Sequence, residues 1–364
     1  MGSEIQRKLA SIRRIDEIRP IENADLIEIA VVGGWHVIVK KGEFKPNDLA
    51  CYFELDSWIP HELAPFLSGG KEPKEYNDVK GERLRSKKMR GVVSQGLLLS
   101  FSSIPLKSFA SENSITGEVY YFDDLVWNEG DDITDELKIQ KWERPLPTQL
   151  QGVAKGNFPT HLSPKTDAER IQNLTNRIQG WKDRNLKFEV TEKLDGTSGT
   201  FVWFKYGDNH ETHVCSRNLS LEETDDNLYW KIARKYDIMN KLEQLGLNIS
   251  IQGEILAPNV QDNQYAVTEP LFYVFNIYDI ENHKYMSPID RNKVVETLGL
   301  LHTPILHTEL AIADFSNVED ILKFAEGKSV LNGSEREGLV FKCTTDNTIT
   351  FKAISNKWLL KTNN

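Results

Sequence analysis

The sequence predicts an α+β protein in which a small β-rich module precedes a larger domain of antiparallel sheets and helices. Three observations carry that prediction. Short apolar and β-branched runs separated by turn signals fill the first hundred residues, the pattern of a small barrel. After a proline-containing stretch, strand-like and helix-like segments interleave without a regular βαβ alternation, which favours α+β over a doubly wound sheet. The 364 residues, 39% hydrophobic and 27% charged, suffice for two or three soluble domains.

In the front module, expected over residues 1–143, Glu28 to Val32 and Trp35 to Val39 are strand-like runs flanking Gly33-Gly34, a hairpin signal. Asp48 to Leu55 repeats the pattern. Arg144 to Lys165 contains Pro145, Pro147, Pro159 and Pro164 and no sustained period, so it reads as a connector. The second domain is expected over 166–364. Thr166 to Glu169 has the spacing of a capping box and predicts a helix to about Lys182. Lys187 to Glu192 and Gly199 to Tyr206 read as strands, and Asp225 to Leu245 as the longest helix. Ile249 to Leu256 and Leu271 to Ile280 are strand-like. Asn292 to Leu298 and Val318 to Glu326 look helical, and Gly338 to Cys343 with Thr348 to Ala353 forms a final hairpin.

Composition excludes several classes. No apolar run approaches the roughly 20 residues that cross a bilayer, and no secretory signal opens the chain, so a cytoplasmic location is the default expectation. Cys51, Cys215 and Cys343 have no metal-ligand spacing and cannot all pair; buried thiols in a reducing compartment are expected. His36, His161, His210 and His213 fall in no ligand spacing, and no Ser/His/Asp or Cys/His arrangement stands out. A net charge of −10 argues against a surface coated with nucleic-acid contacts but leaves room for a local basic groove.

The sharpest chemical feature is Lys193-Leu194-Asp195-Gly196 at the end of an alternating strand. Strands disfavour lysine unless it faces water or a pocket. A lysine nucleophile must lose its proton, which nearby cations, a metal or burial would assist. Further elements follow in order: Cys215-Ser216-Arg217-Asn218, Gln252-Gly253-Glu254, Phe272 to Ile277, Glu337-Gly338-Leu339-Val340-Phe341-Lys342, and Phe351-Lys352.

This ordered set resembles motifs I, Ia, III, IIIa, IV and V of the covalent nucleotidyltransferases, the ligases and mRNA capping enzymes, over about Thr166 to Lys361. The resemblance implies a C-terminal nucleotidyltransferase domain of ATP-grasp-like antiparallel sheets with helices. It implies that Lys193 attacks ATP and carries AMP, with Glu254, Glu337 and Lys352 completing the catalytic set. Asp195, Glu254 and Glu337 are hard oxygen donors suited to Mg²⁺ or Mn²⁺. Lys352, Arg217 and Lys342 supply charge around the triphosphate. The resemblance further implies that Phe275 stacks on adenine, that Arg217 or Asn218 bonds the ribose or phosphate, and that the backbone around Glu192 reads the base edge. Two departures stand out: Asn276 replaces a common aspartate, and Ile354 replaces the second lysine of a KxK pair.

DNA ligases and capping enzymes place an OB-fold module after the last motif, whereas here the β-rich module lies in front. That order resembles RNA ligases with an N-terminal OB-like domain, of the Naegleria gruberi and Deinococcus radiodurans type. Pro20 to Phe44 is also similar to OB modules of tRNA-binding proteins. The resemblance therefore implies an RNA ligase acting on 5′-phosphate and 3′-hydroxyl ends, with a nicked duplex as one substrate form and a monomer as the expected state. A capping guanylyltransferase and a non-catalytic binding relative are the alternatives. Within the front module, Arg83, Arg85, Lys87, Lys88 and Arg90 form a dense basic run expected to track phosphates; a solvated loop and a flap over the triphosphate are its other readings.

Overall fold

The computed structural model describes residues 8–104, 128–143 and 152–362; the first part of the expected connector, 144–151, lies outside them. The described residues fall into two compact units, 8–143 with 359–362, and 152–358.

The first unit contains β1 (Ala10–Arg14), β2 (Glu17–Pro20), β3 (Ile27–Val32), β4 (Trp35–Lys40), β5 (Leu49–Phe53), β6 (Ser57–Pro60), β7 (Lys74–Tyr76), β8 (Val79–Arg83), β9 (Lys87–Met89), β10 (Val92–Ser94), β11 (Leu97–Leu99) and β12 (Gln140–Lys141). They form sheets ordered β1-β5-β11, β2-β3-β4 and β12-β6-β8-β7, with β9 and β10 as a separate hairpin. The expected Gly33-Gly34 turn joins β3 to β4, with Val32 opposite Trp35. In β4, Trp35, Val37 and Val39 are buried while His36 and Ile38 are half-buried and Lys40 is exposed, the period of a half-buried strand. From Ile29 to Val32, β3 is a continuous apolar run because both its faces are covered. Ala30 and Val32 join the main core around Ile12, Tyr52 and Phe53, and Ile29 and Val31 pack with Ile21.

The second unit contains β13 (Ala154–Asn157), β14 (Glu169–Arg170), β15 (Lys187–Lys193), β16 (Thr197–Tyr206), β17 (Asn209–Cys215), β18 (Leu219–Leu221), β19 (Ile249–Leu256), β20 (Leu271–Asp279), β21 (Lys284–Tyr285), β22 (Leu301–His302), β23 (Ile305–Ala311), β24 (Gly338–Cys343) and β25 (Thr350–Ile354). One sheet has the order β13-β18-β17-β16-β19-β20-β21 with β22 beside β20; the other has the order β14-β25-β24-β15-β23. The five-stranded sheet packs Phe341 and Phe351 against helices Thr175–Asp183 and Val318–Ala325, and Trp181 of the first helix stacks on Phe351, which stacks in turn on Phe341. The eight-stranded sheet packs against Leu228–Lys235 and Ile238–Leu245.

Three expectations are corrected. Thr166 opens no helix: Glu169 and Arg170 form β14, a 3₁₀ turn spans Ile171–Leu174, and the helix starts at Thr175. Instead of closing a capping box, the Glu169 carboxylate accepts from Arg170 N and Asn173 Nδ2. The helix expected over Asp225 to Leu245 is two helices, broken where Asp237 adopts a left-handed conformation at φ 52°. Its apolar stripe explains the break, since Tyr229, Ile232 and Ala233 are followed by Ile238 and Leu242, out of phase for one helix. The described part of the proline stretch is built into the second unit: β13 pairs with β18, and Gln252 Nε2 donates to Pro164 O at 2.8 Å.

Candidate active site

Lys193 is the last residue of β15 and lies opposite Gly338 on β24. That register places its ammonium beside the residue preceding Gly338, and Lys193 Nζ donates to both Glu337 oxygens at 2.7 and 2.8 Å. The turn that follows is pinned twice: Gly196 N donates to Glu254 Oε1 at 2.9 Å and Asp195 N to the Tyr265 hydroxyl at 3.0 Å. Gly196 is required there, because a Cβ would stand 2.4 Å from the Ile255 carbonyl oxygen.

The electrostatics differ from the simple expectation of a depressed lysine. Burial alone would lower the Lys193 pKa, but Glu337, Glu254 and Asp195 outweigh it and hold it above the ordinary value. Burial, together with repulsion from Glu337 and Asp195, raises Glu254 to about 8 against the pull of Lys193. One ammonium thus holds together carboxylates that would otherwise repel.

The aromatic strand is shaped by a bulge. Gln252 pairs with Asn276 while Gly253 pairs with Val274, so Phe275 is the extra residue and its backbone leaves the ladder. Phe275 and Asn276 are consecutive half-buried positions, where strict alternation would bury one. The freed Phe275 carbonyl accepts from Lys342 Nζ, which also donates to Asn276 Oδ1 at 2.6 Å. Lys342 is therefore a buried strut between the sheets. Burial and Arg291 push its pKa well below the ordinary lysine value, against the attraction of Glu189. Glu189 lies opposite Lys342 in the ladder and takes two hydrogen bonds from Arg291 Nη2 at 2.6 and 2.7 Å.

Lys352 on β25 donates to Asp167 Oδ1 at 2.7 Å, and an Arg217 Nη2 lies 3.9 Å from Asp167 Oδ2. Burial lowers Lys352 to about 8 despite Asp167, with Arg170 and Lys193 adding to the depression. Asn218 Oδ1 accepts from Lys165 Nζ at 3.2 Å. The Glu192 side chain is buried and turned toward the Val330 backbone, whose N–H it accepts at 3.0 Å, and its own N–H donates to Pro304 O.

The comparisons with known proteins agree with this geometry. A family model described as RNA ligase matches residues 186–359, and an OB-fold domain model matches 9–101. Among curated proteins none matches. Solved structures of Naegleria gruberi RNA ligase are similar over nearly the whole chain. A variant with AMP and manganese is 40% identical at a TM-score of 0.83, covering 98% of this chain and 99% of that one. A variant with ATP and manganese is 40% identical at 0.83, covering 97% and 99%. The form with pyrophosphate is 40% identical at 0.82, covering 98% of each. The chain belongs to the RNA ligase family.

Within this ligase the structure brings Lys193, Asp195, Glu254 and Glu337 into one electrostatic group and places Lys352 and Arg217 around Asp167. Among the described residues no three His, Cys, Asp or Glu side chains form a ready-made metal cage. The carboxylates nevertheless fit a magnesium-like ion, which is commonly held by one or two carboxylates, waters and substrate phosphates. Of the basic run, Arg83 is committed to Asp56 at 2.6 Å and lies over the Trp142 ring. Arg85, Lys87, Lys88 and Arg90 are exposed. The last three lie on or beside the β9–β10 hairpin, whose two-residue turn takes positive φ at Arg90 and Gly91.

Sequence reasoning missed Asp167, Tyr265, Glu189 and Arg291. Glu189 had a signal, since it shares a strand face with Lys193 at even spacing; the others are brought in by tertiary folding alone. A second polar chain, Glu211–His213–Ser220, with His213 Nε2 2.7 Å from Glu211 Oε1 and Nδ1 2.8 Å from Ser220 Oγ, braces β17 against β18. No described helix is long and apolar enough to cross a membrane.

Proposed function

We propose that the ligase joins an RNA 3′-hydroxyl to an RNA 5′-phosphate through lysyl-AMP at Lys193 and an RNA-adenylate. The observation that carries this reading is the Lys193 ammonium held by the Glu337 carboxylate at a strand end, with Glu254 and Asp195 acting on the same charge. Lys193 Nζ attacks the α-phosphorus of ATP. A P–N bond forms, the bond to pyrophosphate breaks, and the lysine gives up its proton. A 5′-phosphate oxygen then displaces lysine from AMP, and the 3′-hydroxyl oxygen displaces AMP from the activated 5′-phosphate. Asp195, Glu254 and Glu337 would hold a divalent cation, which when bound neutralises charge on the phosphates and offsets the carboxylates that keep Lys193 protonated.

Lys352 and Arg217 serve the triphosphate, and Asn218 the ribose or a phosphate. Phe275 stacks on adenine from the bulge, while Lys342 holds that bulge in place. The Glu192 side chain faces the Val330 segment, so base reading falls to the backbone beside it. In the front module Arg85, Lys87, Lys88 and Arg90 track the phosphates of RNA, including the strands of a nicked duplex, and the ligase acts as a monomer. Three buried free thiols suit a reducing compartment such as the cytoplasm.

The test is incubation with α-labelled ATP or GTP and magnesium or manganese, without RNA, comparing wild type with Lys193→Ala on a denaturing gel. Label from ATP on wild type alone is expected. Label on the alanine variant would remove Lys193 from its role, and label from GTP alone would make the chain a capping enzyme.

A further inference from the structure

Lys352 and Arg217, the two cations read as phosphate ligands, share a partner from outside the motif set. Asp167 accepts from Lys352 Nζ through Oδ1 at 2.7 Å, while Oδ2 lies 3.9 Å from an Arg217 Nη2. The cations reach it from different sheets, Lys352 from β25 and Arg217 from the turn after β17. Asp167 sits in the segment entering β14, which runs parallel to β25 with Arg170 beside Lys352. Arg170 and Lys193 both repel Lys352, so charge of one sign gathers here and the Asp167 carboxylate answers it. The Lys352 side chain is largely buried, whereas about a third of Asp167 and half of Arg217 remain exposed. The carboxylate thus stands on the open side of the cluster.

We propose that Asp167 is a placeholder for phosphate: its carboxylate bridges Lys352 and Arg217 where a triphosphate or pyrophosphate oxygen binds, and nucleotide binding exchanges one anion for the other. This rests on the adenylyltransfer reading above and adds a residue to it. Carboxylate and phosphate oxygens are the same kind of ligand to ammonium and guanidinium, anionic acceptors of charge-assisted hydrogen bonds, so they compete. The exchange keeps the cations gathered before nucleotide arrives. It also weakens their hold on pyrophosphate, because the carboxylate returns as pyrophosphate leaves.

Asp167→Asn removes the charge and keeps the shape; Asp167→Glu keeps the charge. Wild type and both variants are compared by calorimetry with pyrophosphate and magnesium, and by thermal melting with and without pyrophosphate, at about pH 6 where Lys352 keeps its proton. The asparagine variant is expected to melt below wild type without pyrophosphate, yet to bind it about tenfold more tightly. The glutamate variant is expected to stay near wild type. A merely structural ion pair would lower the melting temperature without tightening binding, so equal or weaker pyrophosphate affinity in the asparagine variant overturns the proposal. Wild type is labelled with ATP in parallel. Absence of that label overturns the adenylyltransfer reading and this proposal with it, whereas label without tighter binding overturns this proposal alone.

Discussion

Two lysines of the site are tuned in opposite directions. Carboxylates outweigh burial to hold Lys193 above its ordinary value, while burial, Arg170 and Lys193 bring Lys352 down to about 8. Attack needs Lys193 neutral, so the rate of lysyl-AMP formation should rise with pH. Phosphate binding needs Lys352 charged, and that contribution is full well below 8 and lost above it. Single-turnover labelling should therefore rise with pH and break near 8. Lys352→Arg, whose guanidinium stays charged throughout, should go on rising. If the break persists in the arginine variant, another group causes it. The motif residues were legible in the sequence because their types and order survive without coordinates. The direction of each pKa was not, because it depends on Asp167, Arg170 and Glu254, which folding brings in from distant positions.

Among the elements, those that alternate cleanly were readable and those set by tertiary partners were not. The Gly33-Gly34 hairpin follows its period, and the strands of motifs I, III and IV were also readable as strand-like runs, although nearly every residue of them is buried. The capping-box spacing at Thr166 was overridden because Asp167 and Glu169 have other partners, and the Asp237 break lay hidden in a phase shift of the apolar stripe. The bulge at Phe275 has no sequence signature, yet it brings a carbonyl to Lys342. Beneath it, Glu189 neutralises Arg291 at nearly full burial. Glu189→Gln should cost about 3–5 kcal/mol by leaving a buried cation uncompensated. Denaturant unfolding measures this, and a loss below about 1 kcal/mol would show that Lys342 and its neighbours relax to accommodate the change.

For the molecule as a whole, net charge misleads unless its distribution is known. A chain of −10 presents a hairpin whose Lys87, Lys88 and Arg90 have no carboxylate partner among the described residues. Replacing all three with alanine should flatten the salt dependence of RNA binding by about two units of log–log slope, at roughly 0.7 per phosphate contact on single strands. Binding measured at several salt concentrations tests this, with lysyl-AMP formation expected to stay unchanged. An unaltered slope would assign the RNA contacts elsewhere. The presence of two β-containing regions was legible from turn spacing alone. The detailed sheet orders were not, since β1 pairs with β5 and β14 with β25 across long stretches of chain.

Lys193 and the Glu337 carboxylate that grips it are 144 residues apart in the chain. At ribosomal speeds of about 5–20 residues per second, Lys193 waits on the order of ten seconds for Glu337 to be synthesised. Lys352, later still, completes the set. A nascent chain that ends before Glu337 therefore carries Lys193 without the carboxylate that holds its ammonium in place, and the charge cluster closes only as synthesis of the domain nears its end.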